Sequence, residues 1–254
     1  MFVGIKALRP AATLLFRQQA AASAVARDNN CRGYTTGAPP APQQQLQILD
    51  QALTHVNELG WGRQALIQAC QDLGYSPQAH TLGSGSSGLI EHFLKRAQDD
   101  TLIEVDDQLH ELDTVADRLR LICRVRLRQT RPLRRRWPEA AAVLAQPANV
   151  AMALERLSDM SSQFWYAAGD DAQRVDWYLK RSGLAAAYVA TELYMCEDGS
   201  PDLAATWEFL DRRLEALHEG GNAGVRVAEF ANQTARNFYG ILASTGFLPP
   251  RNDK

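Results

Sequence analysis

The sequence lacks the features that assign many proteins to a class at once. No run of about 18 consecutive apolar residues occurs, so we predict no membrane-spanning helix. The sequence has no HExxH motif, no P-loop lysine and no GxSxG motif. We therefore expect no enzymatic activity, no catalytic residues, no metal and no cofactor. No CxxC pair is present, which excludes a zinc ribbon and argues against a disulfide scaffold; the four cysteines lie far apart, at Cys31, Cys70, Cys123 and Cys196.

The composition is that of a globular protein. Of the 254 residues, 46% are hydrophobic and 22% are charged, which excludes wholesale disorder and collagen-like repeats. The net charge of −2 conceals an asymmetry, because the first 34 residues carry five basic residues and one acidic residue. The remaining 22 basic and 28 acidic residues make the rest of the chain acidic. An acidic chain argues against broad nucleic-acid binding.

The N-terminal 34 residues have the composition of a mitochondrial transit peptide. They are rich in arginine and poor in acids, and Arg17 interrupts what would be the apolar region of a secretory signal. A disordered, mildly basic tail is the alternative. Residues 35–42 contain three prolines and are predicted to be a linker.

From Gln43 onward the apolar periodicity is helical, and no alternating strand is found. We predict about nine helices, including one at 89–97 and a long one from about Asp99 to Arg131. We expect Gly183–Ala190 to be buried on all sides, because it is apolar all round. The other predicted boundaries are Gly60, Gly74, Ser76-Pro77, Pro132, Trp137-Pro138, Pro147, Gly169, Asp170 and Ser200-Pro201.

Residues 223–244 form a predicted amphipathic helix next to a glycine-rich hinge. Such a helix either docks on its own core or lies in a membrane interface. The hinge and the aromatic residues slightly favour the membrane. The apolar face consists of Val227, Phe230, Ala231, Phe238, Ile241 and Leu242.

Two short motifs are weak. Gly83–Gly88 matches GxGxxG, but a dinucleotide fingerprint must follow a strand and helical sequence precedes it, so we interpret it as a turn. Glu215 and His218 have the spacing of half a di-iron site, but no second copy occurs, and a surface histidine is the better interpretation.

Nine arginines fall within the 19 residues from Arg118 to Arg136. Nucleic acid is one candidate partner, and anionic lipid head groups fit a mitochondrial protein better. A solvated helix face paired with the acids between Asp99 and Asp117 is the interpretation that we favour over either.

Residues 46–96 resemble the helix-turn-helix of TetR-type regulators. The chain from Gln43 to His218 resembles, more specifically, the family of mitochondrial ubiquinone (coenzyme Q) biosynthesis proteins numbered nine in the COQ series, whose fold is TetR-like. The segments that carry this resemblance are Gly60-Trp61, Leu73–Ser76, Trp137-Pro138, Phe164–Asp170, Asp176–Arg181, Thr191–Leu193, Ser200–Asp202, Thr206-Trp207 and Phe209-Leu210.

The resemblance implies an all-α, TetR-like helical bundle. It implies a helix-turn-helix-like domain over 43–98, a lipid-binding domain over 99–219 and the membrane-associated helix over 223–244. The implied role is that of an accessory protein on the matrix face of the inner mitochondrial membrane. It would bind isoprenoid quinones or phospholipids and present demethoxyubiquinone to a di-iron hydroxylase. We also expect a homodimer that does not bind nucleic acid.

The resemblance also implies which side chains meet the hydroxylase, namely Phe164, Trp165, Trp177 and Tyr178. A long isoprenoid tail requires an apolar cavity, since burial recovers roughly 25 cal/mol per Å² of apolar surface. The candidate lining residues are Met152, Met160, Leu184, Tyr188 and Met195. For each of them, ordinary core packing is the alternative.

A ligand-responsive DNA-binding regulator of TetR type is the alternative function. Such proteins place basic and hydroxyl residues on the third helix, for the major groove. Here no arginine or lysine follows Ser76 until Lys95, which argues against this role.

Overall fold

The computed structural model describes residues 41–170 and 175–218. The predicted transit peptide, most of the linker and the predicted amphipathic helix with its six apolar positions lie outside these ranges. Every regular element within them is helical, which confirms the predicted all-α class. None of the described helices is long and apolar enough to cross a membrane.

The described chain forms eight α-helices and three 3₁₀ turns. The α-helices are α1 (Ala41–Leu59), α2 (Arg63–Asp72), α3 (Gly85–Leu109), α4 (Val115–Thr130), α5 (Trp137–Leu144), α6 (Val150–Ala168), α7 (Val175–Glu197) and α8 (Ala204–His218). The 3₁₀ turns are Pro77–Gly83, Arg131–Leu133 and Pro201–Leu203.

The predicted boundaries around residues 99–131 are wrong. Helix α3 runs unbroken from Gly85 to Leu109, and α4 begins only at Val115. Asp99, the predicted start of a helix, lies inside α3. The next residue, Asp100, pairs with Arg96 one turn earlier in the same helix, at 3.5 Å. The break comes from Thr114, whose hydroxyl oxygen accepts the N–H of Asp117 at 3.1 Å and so caps α4.

Several other predicted boundaries are confirmed. Trp137 begins α5, and Gly169, with φ +87°, ends α6. The Gly83–Gly88 segment joins a 3₁₀ turn to α3, so it follows a helix and not a strand, as we expected. A Cβ on Gly88 would lie 2.3 Å from the carbonyl oxygen of Gly83, so this close approach requires glycine.

The apolar core has two clusters. The first lies between α1, α2, the N-terminal half of α3 and the start of α5. At its centre the rings of Trp61, Phe93 and Trp137 meet edge to face, with centroids 5.5–5.8 Å apart. The second cluster is formed by the C-terminal half of α3 with α4, α6, α7 and α8. Helix α3 therefore contributes to both clusters, and the predicted domain boundary at 98/99 falls inside it.

The expectation for Gly183–Ala190 is wrong on one side of α7. Leu184 and Tyr188 are buried in the second cluster, but Ala185 and Val189 are only partly buried. Small apolar side chains line the outer face of this stretch, which makes it apolar all round. The sequence pattern does not distinguish a small apolar side chain that is half-exposed from one that is buried.

Helix α4 directs most of its arginines inward or sideways. Arg120 contacts Asp117 at 2.6 Å and Asp211 of α8 at 3.1 Å, and Arg124 contacts Asp211 at 2.7 Å. Arg118 donates to the carbonyl oxygen of Leu112 at 2.7 Å. Arg120 therefore pairs with an acid between Asp99 and Asp117, as the favoured interpretation predicts, whereas Arg124 pairs with an acid of α8.

Arg126 lies between the two clusters and is 1% exposed. Its guanidinium carbon is 5.5 Å from the ring centre of Phe93 and 5.9 Å from that of Tyr188. Its Nη1 donates to the Thr130 hydroxyl at 3.0 Å, and that hydroxyl donates to Glu192 Oε1 at 3.1 Å. The Tyr188 hydroxyl donates to the same oxygen at 3.2 Å.

The ionisation of Glu192 depends on the charge of Arg126. Burial raises the pKa of Glu192, while the Arg126 charge and the hydrogen bonds to the carboxylate oppose that rise. Loss of the Arg126 cation would leave the buried Glu192 carboxyl group with its hydrogen bonds but without a positive charge nearby to balance its own.

We expect Arg126→Leu to lower the free energy of unfolding by about 3–5 kcal/mol, since breaking a buried charge arrangement strands its partner. Arg126→Leu/Glu192→Gln should recover part of this loss, because no unpaired charge then remains. Urea unfolding of both variants measures the coupling, with the exposed Arg128→Leu as control. Equal losses in the single and double variants would contradict it.

Asp198 fixes the turn between α7 and α8. Its Oδ1 accepts the N–H of Ser200 at 2.7 Å, and its Oδ2 accepts the N–H and the hydroxyl of Thr206 at 2.9 and 2.5 Å. Burial raises the pKa of Asp198, but these hydrogen bonds outweigh it and hold the pKa at about 2, below the model-peptide value of 3.8. The ionised carboxylate therefore stabilises the start of α8.

We expect Asp198→Asn to lower the free energy of unfolding by about 1–2 kcal/mol at neutral pH, discounted for screening by nearby solvent. The hydrogen bonds that lower the pKa of Asp198 stabilise only the ionised carboxylate. The difference in unfolding free energy between the variant and wild type should therefore shrink as the pH falls from 3.8 toward about 2. Urea unfolding across this pH range measures it. The exposed neighbour Glu197→Gln is the control, and an equal effect there would refute the assignment.

Candidate functional site

The junction between α6 and α7 is held by side chains that bond to the backbone of α7. Trp165 Nε1 donates to the carbonyl oxygen of Lys180 at 3.0 Å, and Ser161 Oγ donates to that of Arg181 at 2.6 Å. Lys180 Nζ donates to Asp170 Oδ1 at 2.6 Å and lies 5.2 Å from the Trp165 ring centre. These bonds fix how the first turns of α7 sit on α6.

Phe164 and Trp165 lie in the second core cluster, 0% and 3% exposed. Both lie beneath the surface, and the contact of these two side chains with a partner stays a prediction. Tyr166 follows them on the same helix and is 57% exposed. Sequence reasoning missed Tyr166 as a candidate, although a helical turn of about 100° per residue places it away from its buried neighbours.

Trp177 and Tyr178 lie on the first turns of α7. Tyr178 is 69% exposed and Trp177 is half-buried, with the ring centroids 4.8 Å apart in an edge-to-face arrangement. The Arg181 guanidinium carbon is 4.0 Å from the Trp177 ring centre. We call Trp177, Tyr178 and Arg181 the α7 aromatic surface. The tryptophan is held in place on one side by a cation, and the tyrosine projects outward.

Four of the five candidate lipid-lining residues are brought together. Met160, Leu184, Tyr188 and Met195 belong to the second core cluster and are 0–5% exposed. Met152 is half-buried on α6 and is not part of that cluster. The four clustered side chains pack against apolar neighbours, as in an ordinary core.

A small hollow of about 80 Å³ opens beside this cluster, where α4, α6 and α8 meet. Pockets that enclose drug-sized ligands measure roughly 300–1,000 Å³, so this hollow is too small for a prenyl tail. Its lining is mainly apolar and consists of Ala116, Leu119, Arg120, Trp165, Leu214, Glu215 and Leu217.

In the described part of the chain, the structure supports neither a metal site at Glu215 nor a DNA-recognition helix. Glu215 is exposed on α8, 3.9 Å from Arg120. In residues 41–170 and 175–218, no three His, Cys, Asp or Glu side chains are grouped so as to hold a metal ion. The segment where a DNA-recognition helix would lie is the 3₁₀ turn Pro77–Gly83, which has no arginine or lysine.

Comparison of the sequence with known proteins identifies its relatives. The rat protein named "Ubiquinone biosynthesis protein COQ9, mitochondrial" is 36% identical over 220 residues, which cover 84% of this chain and 70% of the rat protein. The chain belongs to the COQ9 family. The COQ9-B protein of Xenopus laevis is 34% identical and the human COQ9 protein 35% identical, each over 84% of this chain and over 75% and 69% of their own lengths.

The COQ9 family model matches residues 150–221. This stretch contains α6, α7 and α8, so it includes the α7 aromatic surface and all five candidate lining residues. The resemblance described from the sequence is thereby confirmed at the level of the family.

Proposed function

We propose that this COQ9-family protein is a mitochondrial accessory protein of ubiquinone biosynthesis. It binds isoprenoid quinone intermediates and presents demethoxyubiquinone to the di-iron hydroxylase on the matrix face of the inner membrane. The names of the relatives support the pathway and the organelle. In this proposal the oxidation chemistry belongs to the hydroxylase, and the COQ9-family protein acts as a homodimer that delivers the substrate.

The exposed tyrosine of the α7 aromatic surface is the observation that carries the docking part of this proposal. A tyrosine that is 69% exposed, next to a tryptophan held by the Arg181 guanidinium, is typical of an interface hot spot. Two χ angles define each of these side chains, so little conformational entropy is lost when a partner orders them. The hydrogen bonds between α6 and α7 hold this surface in a defined orientation before the partner arrives.

Lipid binding requires the helices around the second cluster to separate. We propose that the tail enters at the hollow beside Trp165 and spreads between α6 and α7, along Met160, Leu184, Tyr188 and Met195, with Met152 near the outside. The unbranched methionines adapt to a new neighbour more easily than branched side chains. Burial of the tail, at roughly 25 cal/mol per Å², compensates for the core contacts that are lost.

The predicted helix over 223–244 completes the proposal at the membrane. We propose that its apolar face inserts into the bilayer interface, so that the protein collects its lipid where the lipid is dissolved. Leu214 and Leu217, near the end of the described part of α8, line the hollow. This supports an entrance for the lipid at the hollow.

We expect Tyr178→Ala to weaken binding of the hydroxylase about thirtyfold, as loss of a hot spot of roughly 2 kcal/mol would. Trp177→Lys should act in the same direction. Surface plasmon resonance with the purified hydroxylase measures the affinity. Leu154→Ala, which removes an apolar side chain 61% exposed elsewhere on α6, is the matched control. Unchanged affinity in both α7 variants would refute docking at this surface.

We expect a photoreactive isoprenoid quinone to label peptides of α6 and α7 at Met160, Leu184, Tyr188 or Met195. Peptides of α1 and α2, which line the first cluster, provide the internal control because they are equally apolar and buried. Mass spectrometry after irradiation in vesicles locates the adducts. Equal labelling of both clusters, or labelling of neither, would contradict a tail site between α6 and α7.

A further inference from the structure

Four of the nine arginines between Arg118 and Arg136 lie at the end of α4 and in the turn that follows it. Arg126 is buried, Arg118, Arg120 and Arg124 bond to protein oxygens, and Arg136 contacts Glu139 at 2.6 Å. The others follow one another from the last turn of α4 through the 3₁₀ turn, at Arg128, Arg131, Arg134 and Arg135.

Two of these four arginines contact the turn between α7 and α8. Arg131 Nη2 lies 3.5 Å from Oδ1 of Asp202. The Asp202 side chain is 95% exposed, so the contact contributes little to stability. Arg134 donates through Nη1 to the backbone carbonyl oxygen of Asp198, at 2.8 Å, which orients its guanidinium without neutralising it.

Two of the four arginines line a cleft. The cleft has a volume of about 280 Å³, and its walls combine guanidinium groups, a hydroxyl-bearing residue and two apolar residues. The lining consists of Arg131, Pro132, Arg134, Ser200, Asp202 and Leu203. We call it the arginine cleft.

We propose that the arginine cleft binds a phosphate group, with Arg131 and Arg134 as its ligands. A planar guanidinium donates two parallel hydrogen bonds to phosphate oxygens, and two guanidinium groups that line one cleft supply such donors together. The volume of the cleft lies just below the roughly 300–1,000 Å³ of pockets that enclose drug-sized molecules, so it admits a head group and no acyl chain. Arg128 and Arg135 lie within three residues of this pair in the chain and add positive charge.

Asp202 acts as the competitor for the phosphate. It contacts Arg131 at 3.5 Å, and its side chain is 95% exposed, so no packing holds it in this position. Its backbone has φ +50°, a conformation that asparagine adopts as readily as aspartate. Asp202→Asn therefore removes the competing charge without changing the shape of the cleft.

The phosphate group has two sources, an anionic phospholipid or a soluble phosphate compound. The lipid source deepens the proposed function and rests on it, because it would orient the protein on the membrane from which the quinone is taken. It is separate from hydroxylase docking, since the arginine cleft and the α7 aromatic surface share no residue.

The test measures co-sedimentation of the full chain with phosphatidylcholine vesicles, with and without phosphatidylglycerol. We expect Arg131→Gln/Arg134→Gln to lower partition onto the anionic vesicles roughly thirtyfold, the effect of losing two basic residues near the surface. Asp202→Asn should raise partition. The control Arg63→Gln/Arg212→Gln removes the same charge from exposed positions outside the cleft and should change partition far less.

Equal losses from the cleft pair and the control pair, or no gain from Asp202→Asn, would overturn a lipid head group as the ligand in favour of diffuse charge. Because Arg134 also contacts the Asp198 backbone, Arg131→Gln alone is measured beside the pair and should show about half the effect on a logarithmic scale. No loss of partition with this single variant, together with unchanged phosphate binding in a calorimetric titration, would overturn the site.

A calorimetric titration with inorganic phosphate distinguishes the two sources. Phosphate binding lost in Arg131→Gln, together with unchanged vesicle partition, would assign the cleft to a soluble phosphate compound and support the site. Loss of both would assign it to lipid. Hydroxylase affinity is measured on the same variants and should be unchanged, so that failure of docking and failure of the cleft are seen separately.

Discussion

Arg126 is the point on which the arrangement of the helices depends. Its charge lies where two apolar clusters meet. Its Nη1 donates to Thr130, whose hydroxyl in turn donates to Glu192. A charge in such a place is tolerated only if its partners stay within hydrogen-bond reach. The requirement fixes α4 against α7, and with them the position of the second cluster.

The surfaces that we connect with function are arranged around this fixed centre. The α7 aromatic surface lies at the N-terminal end of α7, and Glu192 lies near its C-terminal end. The arginine cleft follows α4 directly, just beyond Thr130. The same two helices that share the buried charge therefore also position the proposed contacts with protein and with phosphate.

The sequence allowed the helical class and most helix ends to be predicted, because proline, glycine and apolar periodicity act locally. It did not reveal that α3 continues past Asp99, since acidic residues suit both a helix start and an exposed helix interior. It did not show that Phe164 and Trp165 are buried, and it did not specify which acid each arginine contacts. Burial and pairing depend on neighbours distant in the chain, such as Asp211 for Arg124, and no local pattern specifies them.

Helix α3 passes through both clusters without a break, which limits how the chain can change in length. Inserting one residue rotates everything beyond it by about 100° and advances it by about 1.5 Å. Such an insertion near the middle of α3 would turn either Phe93 and Ala97 or Val105 and Leu109 away from their neighbours. The turn at residues 110–114 tolerates added residues far better, so length variation between relatives should collect there and spare the 25-residue helix before it.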